Sequence, residues 1–324
     1  MRRMSGLRHD EEVFHAGEQA AQALHGVRDR LAEIGRRVIR TRMPAQHREF
    51  FPLLPFVALA AVDARGRPQA TLLAGSGPGF VTSPDDTTLR IDTLPLPGDP
   101  VQSLLAVGAQ VGLLGIELPT RRRNRANGVV TAIDANGFTL HVRQSFGNCP
   151  RYIQARELLP PAQAGDDSPG PARRSDRLDA RSRRLVRMAD TFFIATHAAG
   201  DRASGGSDIS HRGGRPGFIH VGDEGRTLIW PEFAGNLYFN TLGNILAQPF
   251  AALVIADFER GDLLHVSGRC EVEWAGPRVA RFAGAQHLVR MNIEDVLLRP
   301  AAWPLRWRLT EPSPLLDGTG RWDA

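Results

Sequence analysis

The 324-residue sequence contains no lysine, so all forty of its Lys and Arg positions are arginine. A P-loop needs a lysine on its β/γ-phosphates, a protein kinase needs one on its third strand, and a pyridoxal-phosphate enzyme needs a Schiff-base lysine. Those classes are excluded, and any bound phosphate must be held by arginine, hydroxyl, amide or backbone N–H groups. Cysteine is scarce too. Cys149 and Cys270 lie far apart and outside any paired motif, which argues against a disulfide framework and against structural zinc. No uncharged apolar run reaches the ~18 residues of a membrane-spanning helix. The opening MRRMSGLRHDEEVFH carries acids and has no apolar core, unlike a secretory signal. A soluble, cytoplasmic protein is therefore expected. The ten histidines fall in no metal-binding spacing, and no GxSxG elbow is present.

The sequence is rich in turn formers, with 33 glycines and 23 prolines, and 42% of it is apolar. That combination favours many short strands, and the length suits two domains. The formal charge of +5 is modest; arginine alone raises the isoelectric point, so no nucleic-acid partner is implied. From about Asp10 to Arg40, Leu24, Val27, Leu31, Ile34 and Val38 recur at helical spacing, predicting one leading helix that packs on a barrel or a partner. Strand-like runs follow at Phe56–Val62 and near Ala70–Ala74. Gly128–Ile133 and Phe138–Val142 flank Asn136-Gly137, which fits a type I′ hairpin turn. The RRRNR run at 121–125 lacks interleaved aromatics and reads as a solvated hairpin end, or as a rim contact for an anionic substrate. GSGPGF at 75–80 has the wrong spacing for a dinucleotide loop and leads into no helix.

Residues 159–183 lose all periodicity and collect Pro, Gly, Asp and Arg, as in a linker. After them the pattern restarts. Phe192–Thr196 answers Phe56–Ala60, GGRPGF at 213–218 answers GSGPGF, and Ser267-Gly268 answers Asn127-Gly128. A near-constant offset predicts an internal duplication of one β-rich barrel domain. The expected organisation is an N-terminal helical segment (1–45), a first repeat (46–158), the linker (159–183) and a second repeat (184–324).

The repeats differ in their polar residues. Aligned by their PGF elements, Ser210, His211 and Arg212 of the second repeat fall against Leu72, Leu73 and Ala74 of the first. Residues 235–249 read as a short helix ended by Pro249. Asn236, Asn240 and Asn244 would share one face of it, where the first repeat has Asp99, Ser103 and Val107. A helix start with amide side chains is a natural anion seat, which an aspartate would spoil.

The segments SHRGGRPGF, TLIWPEFAGNLYFNTLGNILAQP, ALVIADFERGDLLHVSGR and SFGNCPRYIQ resemble the pyridoxamine 5'-phosphate oxidase-like family of FMN-binding split barrels. The resemblance implies a mainly β fold of tandem split barrels with FMN in the cleft between them, most of the site coming from the second repeat. It places Ser210, His211, Arg212 and Gly213 along the phosphate and ribityl chain, and Asn236, Asn240 and Thr241 at the helix end. Trp230 would lie against the ring and Arg269 would be a further cation. Asn148, Arg151 and Tyr152 would reach across from the first repeat, with Arg151 standing where relatives use lysine. His220, after the PGF turn, could also line the cleft. The chain is much longer than the oxidase itself, and that enzyme's substrate-phosphate residues are not identifiable in it.

Two functions remain open on these grounds. One is an FMN-dependent oxidoreductase served by a small-molecule substrate or electron donor, such as a reduced nicotinamide or a partner reductase. The other is a flavin- or haem-binding protein without turnover, in which His211 or His220 would ligate the iron. The tandem chain would be a monomeric pseudo-dimer or would pair again as a homodimer.

Overall fold

The computed structural model describes residues 12–160, 169–200 and 205–322. Three helices come first: α1 (Ala16–Leu24), α2 (Arg28–Val38) and α3 (Ala45–Phe50). Strands β1 (Phe56–Val62), β2 (Pro68–Ala74), β3 (Val81–Thr82), β4 (Thr88–Ile91), β5 (Gln110–Glu117), β6 (Arg122–Asp134) and β7 (Gly137–Gly147) then form one antiparallel sheet in the order β2-β1-β5-β6-β7-β4-β3. Strands β8 (Ala155–Leu158) and β9 (Arg173–Ser175) and helix α4 (Ala180–Met188) lead into the second sheet. Its elements are β10 (Thr191–Ala198), β11 (Gly206–Gly213), β12 (His220–Gly222), β13 (Thr227–Phe233), α5 (Asn240–Ala247), β14 (Phe250–Ala256), β15 (Leu263–Glu273), α6 (Pro277–Arg281) and β16 (Ala285–Arg299). The order β11-β10-β14-β15-β16-β13-β12 repeats that of the first sheet strand for strand, and a final strand β17 (Trp307–Glu311) pairs with β8. The protein is mainly β, antiparallel, with few helices.

Local devices recur in both sheets. The ladders slip at Asn127/Gly128 and again at Ser267/Gly268. A Cβ on Gly128 or Gly268 would lie 2.0 Å from the carbonyl oxygen of His141 or Asn292, so only glycine lets each bulge close. Gly75 and Gly214 lie under the rings of Phe80 and Phe218, where a Cβ would come within 2.2 Å.

Alternation along the central strands divides their side chains between separate cores. Val57, Leu59 and Ala61 of β1 face the first sheet's own core, while Phe56, Ala58 and Ala60 face a core shared with Phe193, Ala195, Val254 and Trp303. Phe192 and Ile194 of β10 turn to the second sheet's core. Both faces of β1 and β10 are thus covered, which is why both strands read as unbroken apolar runs.

Several local expectations are corrected. The leading helix is two helices, broken at Gly26 (φ +63°). The break resets the helical phase, so Leu31 is buried while Leu24 and Ile34 are exposed; residues 10 and 11 lie outside the described residues. The β6–β7 turn is not an Asn-Gly type I′ turn. Asp134 pairs with Gly137, and neither Asn136 nor Gly137 has positive φ. Instead the Asp134 carboxylate accepts from the N–H groups of Asn136 and Gly137, an Asx turn. Gly137 is glycine because a Cβ would meet the Ile91 carbonyl at 2.0 Å. Of the 159–183 segment, 161–168 lie outside the described residues. The rest is not all linker, since β9 pairs with β16 and α4 begins at Ala180. No described helix is long and apolar enough to cross a membrane.

Candidate functional site

The two sheets meet at a cleft lined by residues of both, its empty space of about 920 Å³ continuing into open solvent. Strand β6 enters it from the first sheet. Arg123 and Arg125 are two residues apart and therefore share a face; both line the cleft, whereas Arg122 turns out to an exposed pair with Glu117. The arginine run read above as a solvated end thus supplies two cations to the cleft wall. Strand parity was the available signal, since a run of arginines in a strand must put alternate members on opposite faces.

Arg125 is buried, and its guanidinium bridges the sheets. It pairs with Asp208 at 2.8 Å and donates to the Ser210 hydroxyl at 2.7 Å and to Asn240 Oδ1 at 3.2 Å. Arg123 donates its Nε–H to the Cys149 carbonyl at 2.7 Å and, among the described residues, has no carboxylate partner. Burial, with Arg125 and Arg212 beside it, pushes its guanidinium down to about 9. Arg212 is held differently, by Glu232 Oε1 at 2.7 Å. His211 is buried, and burial followed by Arg123, Arg212 and Arg156 holds its ring well below the usual histidine range. It is therefore neutral, and its Nε2 has no partner among the described residues.

Ten of the residues singled out from the sequence line this cleft: Asn148, Arg151, Tyr152, Ser210, His211, Arg212, Gly213, Asn236, Asn240 and Thr241. Their roles differ in detail from those expected. Gly213 is required by a chain crossing, since a Cβ there would lie 1.9 Å from the Tyr152 carbonyl. Arg151 donates to the Ala234 carbonyl at 3.1 Å, and the Tyr152 ring packs 5.1 Å from that of Phe233. Asn148 Oδ1 is buried without a partner. Residues 235–239 are not helical, because Leu237 and Phe239 are left-handed (φ 63° and 61°). Asn236 accordingly precedes α5 and accepts from the Tyr238 N–H at 3.1 Å.

Three expectations fail on position. Trp230 does not reach the cleft; it is fully buried in the second sheet's core, with its indole N–H on Glu232. Arg269 projects outward from β15, its guanidinium 4.8 Å from the Phe250 ring centre. His220 packs on Trp322 beside a separate depression shared with Arg278 and Arg290.

Helix α1, part of the expected leading segment, braces the site in a way its sequence did not indicate. This helix crosses α5 at Gly17 and Gly243, so closely that a Cβ on Gly17 would lie 2.1 Å from the Gly243 carbonyl oxygen. His15 Nε2 meets Asn244 Oδ1 at 2.7 Å, and Asn244 donates to Thr196 at 2.9 Å. Glu18 accepts from Asn240 and from the His15 N–H. Burial, only partly opposed by those two bonds, pushes its carboxyl up to about 8. The asparagine face of α5 is therefore committed to α1. The start of α5, with no side-chain cap, remains on the cleft through Asn240, Thr241 and Leu242. On the same wall, His287 Nε2 lies 3.0 Å from His25 Nε2, and each ring's Nδ1 faces a backbone carbonyl.

No family model matches the chain, and no curated protein matches it. Solved structures share parts of the fold. HupZ from Group A Streptococcus is 17% identical, covering 36% of this chain and 90% of its own, with a TM-score of 0.29. A candidate pyridoxamine 5'-phosphate oxidase from Lactobacillus delbrueckii is 21% identical over 38% of this chain and 94% of its own, with a TM-score of 0.30. An FAD-binding protein from Mesorhizobium loti is 17% identical over 40% of this chain and 98% of its own, with a TM-score of 0.26. At such values the ligand has to be argued from the residues of the cleft.

Proposed function

We propose that the cleft binds FMN and that the chain is an FMN-dependent oxidoreductase made of two copies of one split-barrel domain, at 46–158 and 184–324. The duplication is supported by the shared strand order and by bulges at corresponding glycines. One observation carries the ligand reading: among the described residues Arg123 is a cation without a carboxylate partner, in a cleft that also holds the start of α5, which has no side-chain cap. A helix start and a guanidinium without a counter-ion among the described residues together suit a phosphate. The orphaned His211 Nε2, Arg125 Nε and Asn148 Oδ1 fit a ligand with both donors and acceptors, since buried polar atoms ordinarily find partners. The Tyr152 and Phe233 rings, tilted 39° to each other, give the cleft an apolar side.

When bound, the flavin would supply hydride and electron transfer; the protein's task is to bind, orient and keep out water. Arg123 would hold the phosphate together with the Thr241 hydroxyl and the first N–H groups of α5. Arg212, already neutralised by Glu232, would add direction more than charge. His211, being neutral, can hydrogen-bond a ligand without adding a further cation beside Arg123. A reduced nicotinamide or a reductase would serve as electron donor, in a cytoplasmic setting, and one chain would be a complete pseudo-dimer.

A second reading is haem binding, favoured by the neutral, unpartnered His211 Nε2. Absorption spectroscopy separates the two readings. Flavin bands at about 370 and 450 nm, perturbed on binding in the wild type and not in Arg123→Ala, support FMN. A Soret band at about 400 nm that depends on His211 supports haem. A protein that perturbs neither chromophore refutes both.

A further inference from the structure

We infer that the first sheet carries a counterpart of the cleft, closed by the chain's own anion, so that each chain has one open anion-binding cleft and one internally filled one. The inference rests on reading the cleft as an anion site.

Strand registers fix the correspondence. Thr71 pairs with Leu59, and Leu59 with Leu113; Ser210 pairs with Ile194, and Ile194 with Leu253. Thr71 is thus the counterpart of Ser210, and Leu72 that of His211, one place away from the alignment read off the sequence. Both positions keep a hydroxyl. Leu264 pairs with Leu298 as Asn124 pairs with Gly147, so Arg299, the next residue after Leu298, corresponds to Asn148. The turn at Gln102–Leu104 lies between β4 and β5, as α5 lies between β13 and β14.

In this counterpart a carboxylate sits among groups matching those that line the cleft. Asp99 accepts from the Thr71 hydroxyl at 2.5 Å, from Arg299 at 2.8 Å and, at the start of the short helical turn, from the Val101 N–H at 2.9 Å. Arg299 also donates to the Pro97 carbonyl at 3.1 Å. Asp99 and Arg299 are 7% and 6% exposed and Thr71 is fully buried, so solvent ions do not reach the pair. A hydroxyl, a guanidinium from the other repeat and a helical-turn amide on one oxyanion form a built anion site. Across the pseudo-symmetry, Ser210, Asn148 and the start of α5 line the open cleft; its cations Arg123 and Arg125 stand where the second repeat has Leu263 and His265, and among the described residues no carboxylate pairs with Arg123. Asp99, which by its charge would repel a phosphate, here takes a phosphate's place.

Chemical rescue tests this directly. In Asp99→Ala, Arg299 is left without its counter-ion beside a space the size of a small carboxylate. Thermal unfolding of the full chain would be followed in acetate, in inorganic phosphate and in chloride at equal ionic strength, with uncharged acetamide as the size control. The expected result is a saturable rise in Tm of several degrees in acetate, exceeding that of the wild type. Acetamide should give no rise, and Asp99→Ala combined with Arg299→Met should show none. Folding of Asp99→Ala in acetate but not in chloride would be the same result in stronger form. Asp99→Ser, which can still accept from the Val101 N–H, is the second variant and should show the same anion dependence. Equal responses to acetate in the wild type, the single variants and the double variant would overturn the inference. FMN binding by the wild type is read separately, so its absence would remove the cleft's assignment without touching the rescue at Asp99.

Discussion

The carboxyl of Glu18 offers the most direct physical test of how the cleft is held together. It lies buried between α1 and the start of α5, with its pKa raised from the ordinary 4.5 to about 8. A folded-state pKa above the unfolded one means that the folded chain binds more protons between those two values, so stability falls as pH rises through that window. Carrying the whole shift at ~1.4 kcal/mol per pH unit gives a ceiling of ~5 kcal/mol lost by about pH 9. Glu18→Gln removes the titration while keeping an acceptor for the His15 N–H. Urea unfolding of both proteins, from about pH 5 to about pH 9, gives the difference in stability at each pH. That difference should move in favour of the glutamine variant by several kcal/mol across the window, most of it below about pH 8. His15, 3.6 Å away, has its pKa lowered chiefly by burial and is neutral through the upper part of the window, so it cancels there. A difference that stays flat from pH 5 to pH 9 would show that Glu18 ionises normally in the folded chain, refuting its burial beneath Asn240.

Arg123→Ala should weaken FMN binding by roughly 100-fold, as expected for losing a charge-assisted contact of ~2–3 kcal/mol, and fluorescence titration reads it. Gly213→Ala places a Cβ 1.9 Å from the Tyr152 carbonyl. It should cost ~2–4 kcal/mol and loosen ligand binding, whereas Gly318→Ala, away from the cleft and with nothing within 4 Å of the new Cβ, should do neither. Arg269→Gln should leave FMN affinity unchanged and cost at most ~1 kcal/mol through its contact with Phe250; a large loss of affinity would return Arg269 to the site.

Much of the sheet architecture was legible in the sequence because strand parity and glycine bulges are local. Phe56–Val62 was read at its observed limits, and the answering glycines at 128 and 268 proved to be bulges. Ten of the twelve residues singled out line one cleft, although SHRGG and GNCPRY are 60 residues apart. What failed was facing. Trp230 and Arg269 stand on the right strands with their side chains turned elsewhere, and Arg123 and Arg125 were hidden in a run that looked merely charged. That the leading segment packs on the fold was expected, but its polar contacts at the cleft were not legible. FHAGEQAAQ looks like a weak surface helix until its polar residues meet Asn240, Asn244 and Tyr238. Partners more than two hundred positions away leave no local signature in the chain that needs them.

That long reach bears on how the protein is made. The segment that braces α5 is translated first, and α5 leaves the ribosome more than 200 residues later, the Glu18–Asn240 bond alone spanning 222 positions. Strand β6 likewise waits for β11 before Arg125 meets Asp208 and Ser210. Until then α1 stays undocked, with Glu18 and Gln22 in water, and the face of β1 that bears Phe56, Ala58 and Ala60 lacks its covering from the second sheet. Contacts of such sequence separation form late and slowly. The cleft would be the last part of the molecule to be assembled, and a nascent chain stalled within the second sheet should have no ligand site.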